Sequence, residues 1–396
     1  MMQPLSELTV LSLEQATVLP YLTYRLAQDG ARVIRLEHPV YGDPNRLVGE
    51  PLPGQERMNR YFLCINAGKK AITLNLADPR GQELLARLIT ELKVDVFATN
   101  QLPTSYQKLG ISYEQLCKVK PDLVWLGVSG FGPDHPEPAY DPILQARGGL
   151  MELTGPPGGE PQVLGIPLPD MGASEHAYGL LMKALYQRSR TGQGAALNVS
   201  MFASTLSWLT VPITLTGSFG ETITRRGNTH QFFAPVSVYP TRDGFVYLAV
   251  GNDRQFKALV GLPEFASLDQ PEYAKNLGRI HDVETLNRDM TAITKTMGSD
   301  ELLQKLLAIR LPASKIQTIA EVLEDPLVKP SLLRSKDPVT GTSLVLAPPP
   351  HPTPYLEANG NTLDFPPRFG QHNAEVFGGL GLDGAALKDL ARAGVV

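Results

Sequence analysis

LTVLSLEQATVLPYLTYRLAQDGARVIRLE, residues 8–37, is the stretch that decides the fold. Leu8–Leu13 is a short apolar run of the kind that forms a buried strand. Tyr21–Gln28 has helical character and stops at Gly30. Val33–Leu36 is a second apolar run. Strand, helix and strand within about 30 residues make a βαβ unit, which needs a parallel sheet. The pattern then repeats. Asp78-Pro79 reads as an N-cap followed by a proline in the first turn. Leu84, Leu85, Leu88, Ile89 and Leu92 give Gln82–Leu92 helical spacing. Val94–Ala98 and Leu123–Val128 read as strands, with a helix at Tyr113–Val119 between them. Alternation of this kind predicts an α/β fold with an open parallel sheet, Rossmann-like, covered by helices on both faces. Glu37 ends the second strand, where a ribose-binding acid would stand. The turn after the first strand, Glu14 to Pro20, has no glycine. A backbone approach to a pyrophosphate is not provided for, which argues against a nicotinamide or flavin enzyme.

The alternation breaks between Gly130 and Gly172, where Gly and Pro crowd the chain and long loops are expected. Ala173–Gln187 resumes as a helix and Ala195–Val199 as a strand. Thr205–Leu215 reads as a buried helix. In the second half, Val236–Tyr239 and Phe245–Val250 flank Asp243-Gly244, a hairpin signal. Helices are expected near Arg254–Val260, Val283–Thr296, Asp300–Ile309 and Ala320–Glu324. The domain reading is therefore a first part of a large α/β domain over 1–205 and a linker over 206–224. A smaller α+β domain follows over 225–329, then a Pro-rich linker over 330–367. Helices over 368–396 return to the large domain.

Composition narrows the function. The 396 residues are 42% apolar and 19% charged, as in globular proteins. Thirty-six basic against 40 acidic residues give a net charge of −4. This gives no support to nucleic-acid binding, although one basic pocket for a phosphorylated ligand is compatible with it. Two cysteines, Cys64 and Cys117, do not make a disulfide framework or a Cys-rich zinc site, and a cytoplasmic location is expected. The N-terminal residues do not read as a signal peptide, and no apolar run approaches the roughly 18 residues of a membrane span.

Gly-x-Ser-x-Gly and HExxH spacings are absent, so neither a serine hydrolase elbow nor a zinc site is expected. Asp170 stands out. It follows Pro167-Leu168-Pro169 and precedes Met171-Gly172 at the expected start of a helix. An ordinary N-cap is the plain reading. A carboxylate at that position can also be a nucleophile, beside the positive end of the helix and near glycine N–H groups.

Seven blocks, in this order and spacing, carry a resemblance. They are Val10 to Asp43, Asn66 to Leu88 (NAGKKAITLNLADPRGQELLARL), Tyr140 to Gly155 (YDPILQARGGLMELTG), Pro167 to Ser204, Gly227-Asn228, Val246–Asp253 and Phe369–Leu382. The chain resembles the class III CoA-transferases, the formyl-CoA transferase and carnitine CoA-transferase group of CaiB/BaiF type. The resemblance implies a homodimer of interlocked rings, each chain with a large α/β domain made from both chain ends and a small middle domain. It implies Asp170 as the catalytic residue and coenzyme A as a co-substrate, with no prosthetic group and no metal. The partners it implies are an acyl-CoA donor and a carboxylate acceptor, with no nucleic acid and no membrane. Arg35, Lys69, Lys70 and Lys108 become candidates for CoA phosphates, which recruit basic side chains. The resemblance also implies that Asn100 borders CoA, that Gln15, Ala16 and Thr17 lie near the thioester, and that Tyr140 and Asp141 lie near the pantetheine end. Arg225 and Arg226 are candidates for the far carboxylate of a dicarboxylate acceptor, and transfer within one dicarboxylate also fits.

The chain departs from the family in three places. Leu19 precedes Pro20 where relatives often have Gly. Gln101-Leu102-Pro103 replaces a basic CoA contact. Val250-Gly251-Asn252-Asp253 stands where formyl-CoA transferases carry a glycine-rich flap. The same fold hosts α-methylacyl-CoA racemases, which pair His and Asp as acid and base. Their His position is Tyr140 here, while His135 is nearby but off the motif. A non-catalytic CoA-binding dimer is the other alternative, weakly opposed by the intact Asp170.

Overall fold

A computed structural model of the chain describes residues 5–135 and 137–396. The chain divides into two units. One is built from Met1–Gly148, Leu164–Thr214 and Pro330–Val396, the other from Gly149–Val163 and Leu215–Lys329.

The first unit is organised by six parallel strands: β1 (Thr9–Leu13), β2 (Arg32–Glu37), β3 (Lys69–Thr73), β4 (Val96–Thr99), β5 (Val124–Ser129) and β6 (Ala195–Ser200). Their order is β3-β2-β1-β4-β5-β6. Val10 of β1 pairs with Val33 of β2 on one side and Val96 of β4 on the other. Apolar side chains alternate between the two faces. Leu11, Leu13, Ile34 and Phe97 pack under the helix Pro79–Glu91 and the C-terminal Val376 and Phe377. Val10, Val33, Val96 and Val124 pack against the helices Val18–Gln28 and Leu168–Thr191. Burial on both faces is why the strands read as continuous apolar runs. The chain reverses its direction of sheet growth between β1 and β4. At such a switch point the loops after neighbouring strands part and leave a crevice.

Several expectations change. The strand β3 was not anticipated, because it opens on two lysines, and a charged start hides an apolar strand. The helix expected from Ala173 starts at Leu168 and runs to Thr191. Proline is tolerated in a first turn, where no intrahelical partner for its missing N–H is needed. Asp170 therefore lies inside the first turn, with Pro167 as the N-cap residue. The Gly/Pro-rich region also contains a helix, Asp141–Arg147, again with proline in its first turn. Residues 330–367, read as a linker, hold two paired strands, Leu333–Lys336 and Ser343–Leu346, and the helix Pro354–Ala358. Leu333, Leu346, Leu356 and Leu363 bury themselves with Tyr24, Ile65 and Ala67. The buried helix expected over Thr205–Leu215 is two helices, Met201–Ser207 and Thr210–Phe219. The second has no buried residue, and Val211 and Ile213 are 54% and 51% exposed. Pro212 and Leu215 are half-buried, and the other apolar side chains of the helix are exposed.

The second unit has a three-stranded antiparallel sheet of β7 (Val236–Pro240), β8 (Phe245–Ala249) and β9 (Ala313–Lys315). The hairpin lies where Asp243-Gly244 marked it. Three residues are too short for β9 to show a period in sequence. Tyr239, Leu248, Phe256, Phe265 and Met290 form its core.

Candidate active site

The loops that follow β1, β4 and β5 at the switch point, together with the start of the helix Leu168–Thr191, enclose a cleft of about 430 Å³. Gln15, Ala16, Asn100, Tyr140, Asp141 and Asp170 line it. The side chains of β1 and β4 end there, and the two loops are tied together. Asn100 Oδ1 accepts from Gln15 N–H at 3.1 Å, and Asn100 Nδ2 donates to the Gln15 carbonyl at 2.8 Å. The Gln15 side-chain amide has no partner among the described residues, so it remains a donor to the cleft.

Asp170 is partly buried in the wall. Burial, reinforced by the neighbouring Asp141 charge, pushes its carboxyl up to about 7. The helix dipole opposes this rise but is the weaker influence over one turn. Asp141 opens its own helix and is also raised by burial. Its Oδ2 accepts from Asp170 N–H at 3.1 Å, and its Oδ1 from Gln145 Nε2 at 2.6 Å. Gln145 in turn accepts from Leu164 N–H at 2.9 Å. Ser174 Oγ donates to the Asp170 carbonyl at 2.8 Å. The backbone of the first turn is thus fixed, while no group among the described residues donates to the Asp170 carboxylate. A carboxylate left unbonded and made more basic by its surroundings is suited to attack a carbonyl.

Tyr140 is 75% exposed at the mouth. Thr17 lies behind the wall, its Oγ1 bonded to Tyr61 at 2.9 Å. A second cavity of about 220 Å³ adjoins the cleft and shares Gln15 and Gln101 with it. Leu36, His38, Tyr41 and Leu74 line its largely apolar wall. Sequence reading missed His38 and Tyr41. Their signal is the position just past the end of β2, beside the glycine-free turn.

None of the four basic candidates lines the cleft, which is not where the sequence reading put them. Arg35 and Lys69 are fully buried. Arg35 donates to Asp43 at 2.7 Å, and Lys69 to Glu14 at 3.0 Å and Asn66 at 2.8 Å. Arg46 donates to Glu37 through both Nε, at 2.7 Å, and Nη2, at 2.8 Å. Three carboxylates, Glu14, Glu37 and Asp43, thus face three cations in one neutral buried cluster. Burial would raise Glu14, but Lys69 and Arg35 outweigh it and hold the carboxyl low. Burial pulls the Lys69 ammonium down to about 8. These cations hold the sheet edge together rather than facing a phosphate. Lys70 pairs with Glu375 and lines a separate cavity with Arg32, Lys336 and Arg368, at the end of the sheet where β2 and β3 begin. Lys108 is exposed, and its carbonyl accepts from Gln82. Arg225 is engaged by Glu152 at 2.5 Å and by the Gly159 carbonyl at 3.1 Å within the second unit, which removes it as a free receptor for a carboxylate. Among the described residues lining the cleft there is no Lys or Arg, and His135 is the one side chain able to carry a positive charge. Also among the described residues, no group of three His, Cys, Asp or Glu could hold a metal ion, and no helix is long and apolar enough to cross a membrane.

Comparison with known proteins adds to this geometry. The family model described as CoA-transferase family III matches residues 5–373. The chain is 29% identical to succinyl-CoA:glutarate CoA-transferase of Mus musculus, over 100% of this chain and 91% of the relative. It is 34% identical to acetyl-CoA:oxalate CoA-transferase of Acetobacter aceti, over 82% and 83%. Among solved structures, a CAIB/BAIF family protein from Brucella suis superposes with a TM-score of 0.83 and 29% identity, over 95% of this chain and 99% of that one.

Proposed function

The chain belongs to CoA-transferase family III, and from that premise we propose that it moves CoA from an acyl-CoA thioester to a carboxylic acid by way of Asp170. The observation that carries this reading is the Asp170 carboxylate, unbonded and raised to about 7, in the wall of a cleft at the switch point of the sheet.

In the first step an Asp170 oxygen attacks the thioester carbonyl carbon. The C–S bond breaks, CoA leaves as thiolate with the electron pair, and a mixed anhydride remains. The thiolate then attacks Asp170 Cγ. The anhydride C–O bond breaks, the donor carboxylate departs, and an aspartyl-CoA thioester is left. The acceptor carboxylate attacks Cγ and displaces the thiolate, forming a second anhydride. The thiolate attacks the acceptor carbonyl and releases Asp170. Each step exchanges one activated acyl group for another, so no proton is taken up overall and no ATP is needed. Gln15 is placed to donate to the oxyanion of the tetrahedral stages. The two adjoining cavities give a long thioester its path. The reacting end lies by Asp170, the pantetheine passes Gln15, Asn100, Tyr140 and Asp141, and the nucleotide lies toward His38 and Tyr41.

A dicarboxylate acceptor is supported by the names of the two relatives, glutarate and oxalate enzymes. His135 is its candidate receptor. The working form in this reading is a cytoplasmic interlocked homodimer, the dimer being supported by the exposed apolar side chains Val211, Ile213 and Phe219 of the helix Thr210–Phe219. A panel of acyl-CoA donors and mono- and dicarboxylate acceptors, followed by chromatography of the CoA esters, tests the function. New CoA esters must appear only when both donor and acceptor are present, or from one dicarboxylate monoester on transfer within it. One observation favours a second reading: His135 and Asp170 line the same cleft, as an acid and base pair for proton transfer α to the thioester would. Deuterium entering the α carbon of a 2-methylacyl-CoA from D2O, with no CoA transfer, would establish that reading instead.

A further inference from the structure

Ala16 sits at φ +61°, in the left-handed region that a residue with a Cβ seldom adopts. Such a conformation persists only where the surroundings over-determine it, and it clusters at functional sites. Here the surroundings are four hydrogen bonds, one to each polar backbone atom of Gln15 and Ala16. Asn100 holds the N–H and carbonyl of Gln15, as described above. Asp43 Oδ1 accepts from Ala16 N–H at 3.0 Å, and Asn45 Nδ2 donates to the Ala16 carbonyl at 2.6 Å. Asp43 Oδ1 also accepts from Asn45 N–H at 2.9 Å, so the two anchors are themselves joined. The other oxygen of Asp43 is held by Arg35 in the neutral buried cluster. Just upstream, Glu14 is clamped by Ser12, Thr23 and Lys69 at 2.8, 2.6 and 3.0 Å.

The backbone N–H groups of Gln15 and Ala16 are both consumed by these bonds. Neither can serve a developing oxyanion, which leaves the Gln15 side-chain amide as the donor these two cleft residues offer. Its aim depends on a peptide that would relax if Asp43 and Asn45 let go.

We infer that Asp43 and Asn45 are positioning residues that lock the left-handed turn at Ala16 and so aim the Gln15 amide into the cleft, an inference that rests on the reading of Asp170 as nucleophile. Neither residue lines the cleft. Their effect passes through Ala16 and falls on the reacting geometry rather than on binding. A misplacement of about 1 Å costs on the order of 100-fold in rate.

The test uses the full chain and three variants, Asn45→Ala, Asp43→Ala and the double variant, with Asp170→Asn run beside them. Asn45→Ala leaves the charged cluster intact, which guards against a mere folding defect. Using whichever donor and acceptor pair the panel identifies, we expect kcat to fall about 10- to 100-fold in each single variant. KM for the acyl-CoA changes less than about threefold, and Asn45→Ala keeps its Tm within about 3 °C. The double variant loses little more than the worse single one, because both anchors act on one peptide. Losses confined to KM, losses that follow Tm, or losses that multiply in the double variant overturn the inference. If Asp170→Asn is inactive while both single variants keep the wild-type kcat, the inference alone fails. If Asp170→Asn transfers CoA normally, the reading of the nucleophile fails and the inference falls with it.

Discussion

The backbone N–H of Asp170 donates to the Oδ2 of Asp141 at 3.1 Å, so one carboxylate fixes the peptide of another. The contact places two acids side by side at the mouth of a helix. It also sets a cost, because the charge that holds the backbone disfavours ionisation of the side chain that must react.

This pairing gives a pH dependence. A nucleophilic carboxylate must be ionised, and burial with the Asp141 charge raises Asp170 to about 7. kcat/KM should therefore rise with pH up to about 7 and level off above it. Asp141→Asn keeps an oxygen for the Asp170 N–H and removes the charge. Its acid limb should move to lower pH, without reaching the ordinary carboxylate range, since burial remains the larger cause. A pH profile of CoA transfer for both proteins checks this. An unmoved limb would show that Asp141 does not act through its charge.

The same shift predicts a change in stability. The folded protein holds the Asp170 proton up to about pH 7, whereas the unfolded chain releases it near pH 4. Stability linked to this group is present below pH 4 and is lost as pH rises toward 7. Asp170→Asn escapes that loss. The variant should match the wild type near pH 4 and exceed it by roughly 1–3 kcal/mol above pH 7. Thermal unfolding at a series of pH values measures the difference.

Gln15→Ala removes the side-chain amide that the first loop presents to the cleft. Loss of an oxyanion donor costs about 10²- to 10³-fold in kcat. The fall should appear in kcat, with KM for the thioester little changed. A loss confined to KM would place Gln15 in binding instead.

Arg46→Leu leaves Glu37 with the Asp43 N–H at 3.2 Å and, as its one remaining cation contact among the described residues, Arg35 at 3.5 Å. Removing one partner of a buried ion pair costs about 3–5 kcal/mol. The urea midpoint of the unit should fall by about 1 M or more. Arg392→Leu serves as the control. Its pairing with Asp389 is exposed on both sides, 79% and 75%, and such pairs contribute at most about 1 kcal/mol.

The parallel sheet was legible because its strands are buried on both faces and read as apolar runs, as at Leu8–Leu13 and Leu123–Val128. The strand Lys69–Thr73 was not, since its first residue buries a charge against Glu14, an interaction no local pattern reveals. Prolines at 142 and 169 disguised two helix starts as loop. Asp170 was visible from its place before Met171-Gly172, and Gln15, Ala16, Asn100, Tyr140 and Asp141 from the resemblance. Arg35 and Lys69 were misplaced because sequence shows a basic residue but not the carboxylate already facing it. Asp43 and Asn45 act across 27 and 29 positions, through bonds that only the fold brings within reach.

The most direct measurement is trapping of the acylated aspartate. The protein is incubated with acyl-CoA and hydroxylamine, digested, and the peptide carrying Asp170 is weighed by mass spectrometry. The account predicts a hydroxamate on Asp170 that needs acyl-CoA to form and is absent from Asp170→Asn, which also fails to transfer CoA. An unmodified Asp170 during active turnover, or an Asp170→Asn variant that transfers CoA at the wild-type rate, would contradict it.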